Sequence, residues 1–433
     1  MIAHERLLAA LDLGSSKVTV LIGEATDSGR ILLRGSGVAE SKGFHKDTLV
    51  HLGSAVEALR QAVETAEHAA DAVVESAVVG VAGRHVRSFN SRGGVSLGAR
   101  PREVEADDIR RAIEAARAVS LPPDQELLHV LPQEFLLDKQ DGIRDALGLL
   151  GRRLEVNVHL VTSAAMATQN LVTAVNRAGL MVEDTVLEPL AAADACLTPD
   201  EKQLGAVVVD LGAGSTEWFA FERGTPRATG LVPVGGEHFT NDIAVCLRTP
   251  LWEAERVKRA YGCATLRGTA QDTLFEVAGM GERPPRVASR RALGEILEPR
   301  AQEWAVLVRE ALENGLGALP LAGVVLTGGA AQLEGLADLA AQALQVPMRL
   351  GLAKGLSGAN ATLANPASAV AVGLLLHANR LRLAERRNGG LVSRLKKFFA
   401  GNGRPRVRTR GEFTLGGQNR ESSKERTRAE LRR

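Results

Sequence analysis

Aromatic residues are scarce in this chain of 433 residues: one Tyr, three Trp and ten Phe. With a hydrophobic fraction of 45%, its cores must be built from Ala, Val and Leu. Cysteine is equally sparse, and Cys196, Cys246 and Cys263 show no Cys-x-x-Cys or metal-type spacing. That gives no zinc or disulfide signal and fits a reducing compartment. Long apolar runs are missing too, so no membrane-spanning helix is expected. Residues 1–13 carry His, Glu, Arg and Asp rather than an apolar block, so no secretory leader is expected either. No Gly-x-x-x-x-Gly-Lys-Ser/Thr occurs, which excludes a P-loop.

Charge is unevenly spread. The formal net charge is +2, yet residues 404–433 hold ten Lys or Arg against four Glu. The rest of the chain is therefore acidic, and the last thirty residues read as a solvated, disordered basic tail.

The chain contains a widely spaced repeat. ALDLGSSKVTVLIGE (residues 10–24) and VVDLGAGSTEWFAFE (residues 208–222) each run from an apolar strand through Asp-Leu-Gly and small residues into a second strand. Asp12 matches Asp210 and Gly14 matches Gly212, which suggests a duplicated domain. A dinucleotide-binding or methyltransferase glycine loop runs from strand into helix. Here β-branched and aromatic residues follow both loops, so both are hairpin tips. Elsewhere strands and helices alternate. Leu49, Leu52, Val56, Leu59, Val63 and Ala66 mark an amphipathic helix. The stretch GVVLTGG (residues 323–329) reads as a buried strand followed by a helix from about Gln332 to Leu344. The expectation is a three-layer α/β architecture in two lobes, with residues 84–165 inserted in the first.

Two such hairpins facing each other would present backbone N–H groups and small hydroxyls to a polyphosphate. Ser15, Ser16, Ser215 and Thr216 can donate to phosphate oxygens, Lys17 can neutralise charge, and Asp12 and Asp210 can hold Mg²⁺ through waters. Two ordinary Asp-Gly hairpins are the alternative, which the duplication disfavours. Glu188 precedes a run of small residues. Gly235 and Gly236 form a glycine pair, Glu255 and Lys258 stand at i, i+3, and Gly328 with Gly329 could admit a flat base. A surface ion pair and a plain turn are the ordinary readings of the last two.

Taken together, the Asp-Leu-Gly hairpins, the Glu188-Pro189 segment and LTGG make the chain similar to the actin-like ATPase superfamily. Within it, the chain resembles the FtsA family of bacterial cell-division proteins. The resemblance covers roughly residues 7–380 and rests on GVAGRHVRSFNSRGGV, HVLPQEFLLDKQDGIRDALGLLGRRLEVNVHLVT, PVGGEHFTNDIAVCLRT and RPPRVASRRALGEILEPR. Asp145-Ala146-Leu147-Gly148-Leu149 departs from the family's usual Asp-Pro-x-Gly-Met.

The resemblance implies an actin-like two-lobed fold of duplicated ribonuclease-H-like domains with an FtsA-type inserted subdomain. Its parts would be 1–83 with 166–198 and 360–385, the insert 84–165, 199–235 with 300–359, 236–299, and a terminal region 386–433. It further implies an ATP-binding protein with slow ATPase activity at most, which polymerises and tethers FtsZ filaments to the cytoplasmic face of the cell membrane at the division site. Asp12, Gly14, Ser15, Ser16, Lys17, Gly212, Gly214, Ser215 and Thr216 would surround the phosphates. Gly235, Gly236, Glu255, Lys258, Gly328 and Gly329 would surround the nucleoside. Glu188 and Asp210 would act in catalysis, with Asp12 and Asp210 at Mg²⁺. Arg286 and Arg300 would meet the acidic FtsZ tail. Self-association and other division proteins are implied partners, and no specific nucleic acid is.

The family's tether is a terminal amphipathic helix. In GGLVSRLKKFFAGNG, Leu391, Val392, Leu395, Phe398 and Phe399 share one helical face, flanked by Arg394, Lys396 and Lys397. Burying five such side chains contributes roughly 7–12 kcal/mol gross, and ordering the backbone offsets about as much. One copy should bind weakly and a polymer firmly. The basic tail beyond it could add lipid affinity. Two alternatives remain: a related type IV pilus assembly ATPase, and a small-molecule kinase of the same superfamily, for which no substrate-directed Asp is evident.

Overall fold

The computed structural model describes residues 6–45, 48–266, 273–320, 322–358 and 363–387. The expected membrane segment, Leu391 to Phe399, and the basic tail lie outside the described residues. Among the described residues, no helix is long and apolar enough to cross a membrane.

Two sheets share one plan. In the first, strands run in the spatial order Met181–Leu187, Ser76–Val81, Leu7–Leu13, Lys17–Ala25, Ile31–Glu40, Leu356–Ser357. The second is ordered Thr225–Val232, Thr216–Glu222, Ala206–Leu211, Val324–Thr327, Met348–Leu350. Each is an antiparallel meander of three strands whose first member pairs in parallel with a later strand. This is the actin-like duplication the two Asp-Leu-Gly stretches point to. The central strands are apolar on both faces, as in ALDL and AVVVDL, because helices cover both sides.

Between the sheets, helix Glu188–Cys196 crosses helix Ala369–Arg387. The first is a run of alanines, and the reason is distance: a Cβ on Gly373 would stand 1.9 Å from the Ala191 carbonyl oxygen. Only small residues allow such an approach. One continuous core results, joining Ala10 and Val78 of the first sheet to Val208, Phe219 and Val325 of the second.

Helix Leu52–Ala70 buries Val56, Leu59, Val63 and Ala66 as their spacing predicts. Leu49 is not part of it; this residue lies in the short strand Thr48–Leu49, because His51 caps the helix by accepting a hydrogen bond from the Ser54 N–H. The helix expected from Gln332 starts later. A 3₁₀ turn, Ala330–Gln332, comes first, and the α-helix spans Leu336–Leu344, since Gly335 at φ 77° interrupts the run.

The insert is a four-stranded antiparallel sheet, Gln140–Ile143, Gln125–Leu137, Arg153–Ala164 and Arg87–Ser96, with helix Ala106–Arg117 against it. It leaves and rejoins the first lobe, yet it also holds the second. Ser88 donates to the Thr229 carbonyl at 3.0 Å and Gln133 to the Pro226 carbonyl at 2.9 Å. Arg144 reaches Gln203 and the Arg223 carbonyl, and His159 meets Phe219 edge-on. The remaining part of the second lobe includes helices Gly236–Cys246, Leu251–Tyr261 and Arg290–Leu316 and the hairpin Leu274–Val277 with Arg286–Ser289.

Candidate functional site

Asp12 and Asp210 occupy equivalent places, each the next-to-last residue of the strand that opens its hairpin. Asp12 is buried, and that burial pushes its carboxyl up to about 6, against the pull of the Lys17 cation. Lys17 spans a long sequence gap: its Nζ donates to the Ala367 carbonyl at 3.1 Å. Ala367 belongs to the 3₁₀ turn Pro366–Ser368, and this turn also receives the second hairpin's neighbour. The Gly328 N–H and the Thr327 hydroxyl both donate to the Pro366 carbonyl, at 3.2 and 2.9 Å.

Gly328 has φ 96°, and a Cβ there would stand 2.3 Å from the Leu211 carbonyl and 2.4 Å from Asp210 Oδ1. Only glycine satisfies both conditions. Gly329 is open by comparison, with Ala367 alone at 3.9 Å from its would-be Cβ. The turn beginning at Asn365-Pro366 thus draws Lys17, Gly328, Gly329 and Asp210 to one place. Sequence reasoning missed that turn; its signal was the Asn-Pro dipeptide.

On the other side of the second hairpin, Gly236 N–H donates to the Gly212 carbonyl and Glu237 N–H to the Ala213 carbonyl, both at 2.9 Å. A Cβ on Gly235 would stand 2.4 Å from the Ala213 carbonyl oxygen, so the glycine pair lets the hairpin tip lie on the start of helix Gly236–Cys246. Gly14 stays small under the Lys17 carbonyl, 3.2 Å from its would-be Cβ. Ser15, Gly214 and Ser215 are buried in the tips, whereas Ser16 is exposed.

Lys258 donates to the Gly236 carbonyl at 2.9 Å and to the Thr240 hydroxyl at 2.7 Å, and pairs with Glu255 at 2.7 Å. This is no surface ion pair. Burial lowers the Lys258 ammonium's affinity for its proton while Glu255 raises it. Burial would likewise raise Glu255, but Lys258, Thr240 and Arg259 hold it down at about 2. Thr240, which ties the pair to the glycines, was not singled out from sequence.

Thr216 is a correction. Its hydroxyl is buried, donates to the Val234 carbonyl at 2.6 Å and accepts from the Trp304 indole at 2.9 Å. With its hydrogen committed inward, that hydroxyl does not face a phosphate.

Glu188 starts its helix beside Gly80, where a Cβ would come within 2.7 Å of Glu188 Oε1. It lines a cavity of about 240 Å³ with Gly14, His85, Thr168 and Asn170, backed by Phe44 and Leu171. Gly14 therefore joins this cavity to the first hairpin. Among the described residues, no group of three or more His, Cys, Asp or Glu side chains could cage a metal.

A second concavity, about 520 Å³, lies away from the hairpins and is lined by Asn241, Asp242, Val245, Ile296, Arg300 and Glu303, among others. Arg300 is not an unengaged cation. Asp242 holds it through Nε at 2.6 Å and Nη2 at 3.0 Å, and Glu303 holds its other nitrogen. Arg286, on the exposed strand Arg286–Ser289, does not line this groove.

Comparison with known proteins bears on the whole chain. The family model described as Cell division protein FtsA matches residues 207–373, and that of the SHS2 domain inserted in FTSA matches residues 83–162. The chain is 42% identical over 373 residues to Cell division protein FtsA of Pseudomonas aeruginosa, covering 86% of this chain and 89% of that protein. It is 35% identical over 378 residues to the Escherichia coli K12 protein of the same name, covering 86% and 90%. Among solved structures, a chain of the PilM-PilN type IV pilus biogenesis complex is similar at 19% identity and TM-score 0.62, covering 86% of this chain and 98% of that one. MreB5 of Spiroplasma citri bound to ADP is similar at 14% identity and TM-score 0.54, covering 89% and 100%. These structural likenesses show the actin-like fold alone. The extent of the sequence identity does more: the chain belongs to the FtsA family of cell-division proteins.

Proposed function

We propose that this cell-division protein binds ATP in the cleft between its hairpins, polymerises, and anchors FtsZ filaments to the cytoplasmic face of the cell membrane. The observation that carries the nucleotide part is that the turn at Pro366 receives Lys17 of the first hairpin and the Thr327-Gly328 corner packed against Asp210 of the second. Asp12, Gly14, Ser15, Ser16 and Lys17 would hold the phosphates from one side and Gly212, Gly214 and Ser215 from the other. Gly235, Gly236, Glu255, Lys258 and Gly329 would border the nucleoside, with Gly328 fixing the backbone beneath it.

The chemistry of the donor set suits Mg²⁺ in a partly hydrated form. A buried carboxyl raised to about 6 gains from a nearby cation, while the lack of a three-carboxylate cage among the described residues leaves most ligand positions to phosphate oxygens and water. Asp12 and Asp210 would orient those waters, and the ion would supply charge neutralisation. Glu188, which lines one cavity with Gly14, would orient an attacking water, which makes slow hydrolysis the expected activity.

The acidic FtsZ tail would meet Arg300, whose guanidinium is already engaged by Asp242 and Glu303 of the same groove. Asp242 and Glu303 keep its guanidinium oriented until a peptide carboxylate exchanges with them. Membrane attachment is assigned to the segment Leu391 to Phe399. The test combines two measurements on the full chain. A labelled FtsZ C-terminal peptide should bind wild type and lose at least ten-fold in affinity to Arg300→Glu. Liposome co-sedimentation should persist in that variant. Unchanged peptide affinity would remove the groove from the proposal.

A further inference from the structure

The foot of helix Ala369–Arg387 carries a cluster of cations that the nucleotide and peptide readings do not use. The helix is seated on the turn at Thr26–Arg30: Asn379 donates to the Gly29 carbonyl at 2.9 Å, and Leu383 approaches the same glycine. One turn on, Arg382 has both Nε and Nη1 buried with no hydrogen-bond partner among the described residues. Its third nitrogen reaches Asn379 Oδ1 only at 3.5 Å. Burial, and then the nearby charges of Arg386 and Arg6, make its own charge less favourable, against the pull of Asp27. Among the described residues, the acidic group facing the cluster is Asp27, exposed and already bonded to Arg6 at 3.0 Å.

Buried N–H donors without acceptors are uncommon and destabilising. A guanidinium in that state, flanked by two more, lacks an anion with several oxygens. Among the described residues, the carboxylates on this side are already engaged, Asp27 by Arg6 and Glu24 by Arg34.

We propose that Arg6, Arg382 and Arg386 form a binding site for a phosphate group, separate from the nucleotide cleft. The planar fork of Arg382 suits two phosphate oxygens at once, while Arg6 and Arg386 supply charge at the rim. The same chemistry is offered by the phosphodiester of an anionic lipid headgroup and by a soluble phosphate compound. The lipid source rests on the membrane attachment proposed above, since the helix leads directly into residues 388–433. The anion site itself does not.

The test uses the full chain as wild type, Arg382→Gln, Arg386→Gln and, as a control for general charge loss, Arg291→Gln in the second lobe. Thermal unfolding is followed in inorganic phosphate and in chloride at equal ionic strength. Phosphate at the nucleotide cleft affects all four alike, so the difference between proteins reports the cluster. Arg382→Gln is expected to unfold no earlier than wild type in chloride and to lose part of the rise that phosphate gives. Arg386→Gln, which alters only an exposed side chain, is expected to lose some of that rise without a folding defect. Identical phosphate responses in all four proteins overturn the site. Phosphatidylcholine vesicles with one-fifth phosphatidylglycerol then separate the sources. Weakening of about five-fold per cluster charge, beyond that of Arg291→Gln, assigns a lipid headgroup. A lost phosphate response with unchanged vesicle binding assigns a soluble phosphate compound.

Discussion

Asp12 brings a cost and a proposed function to the same carboxyl. A carboxyl held at about 6 in the fold, against about 4 unfolded, favours folding below pH 4. That contribution is lost as pH rises through 6, where the buried group must ionise. Asp12→Asn should therefore stabilise the nucleotide-free protein by about 2–3 kcal/mol at pH 8 and by nearly nothing at pH 4, while weakening Mg²⁺-nucleotide binding. Urea unfolding at the two pH values measures the first effect; equal stabilisation at both would contradict it. Glu188 allows a gentler probe. Gly80→Ala places a methyl against the end of its side chain and should swing the carboxylate aside. Turnover is expected to fall about ten-fold or more with nucleotide affinity within two- to three-fold of wild type, read by single-turnover hydrolysis and equilibrium titration. At this scale the sequence is legible only where chemistry is local. Asp12, Gly14, Asp210 and Gly212 declare themselves through a repeated string. The inward turn of Thr216 is set by Trp304, 88 positions away, and the restraint on Arg300 by Asp242, 58 positions away; no string contains either.

At the scale of elements, the hairpins and strand order follow from the amphipathic periods and the duplication, and these were readable. Element ends were less so, because they depend on single caps such as His51 and Gly335. The crossing of helices Glu188–Cys196 and Ala369–Arg387 was not readable at all: alanine runs look the same in a packed and an exposed helix. The closeness at Gly373 supplies a test with a clear sign. In an uncrowded helix Gly→Ala stabilises by about 1 kcal/mol. Here the added carbon meets the Ala191 carbonyl, so Gly373→Ala should destabilise by about 1–3 kcal/mol, measured by chemical denaturation. A stabilised variant would mean the helices can part without loss.

For the whole molecule, two buried histidines tie the insert to its surroundings. His129 accepts the Leu187 N–H at 2.9 Å, and burial lowers it to about 4. His159, beside Asn90, is lowered to about 4 by burial and by Arg227. Groups depressed below their ordinary value near 6.5 leave stability intact above it and withdraw it as pH falls towards 4. Each accounts for about 3 kcal/mol at the acid end, partly offset by Asp12, which gains in the same range. With Asp12 offsetting part of the two histidines' effect, His159→Phe should shallow the fall in unfolding free energy between pH 6.5 and 4 by about three-quarters. An unaltered slope would assign acid sensitivity to other groups.

The attachment of the insert to strand Thr225–Val232 has a mechanical consequence. Among the contacts that join the two lobes are the helices that cross at Gly373 and a strut rooted in one lobe and bonded to the other through Ser88, Gln133 and Arg144. Springs in parallel add their stiffness, so lobe rotation must load the strut as well as the hinge. A pull on the insert that breaks those bonds would therefore remove part of what resists rotation of one lobe against the other.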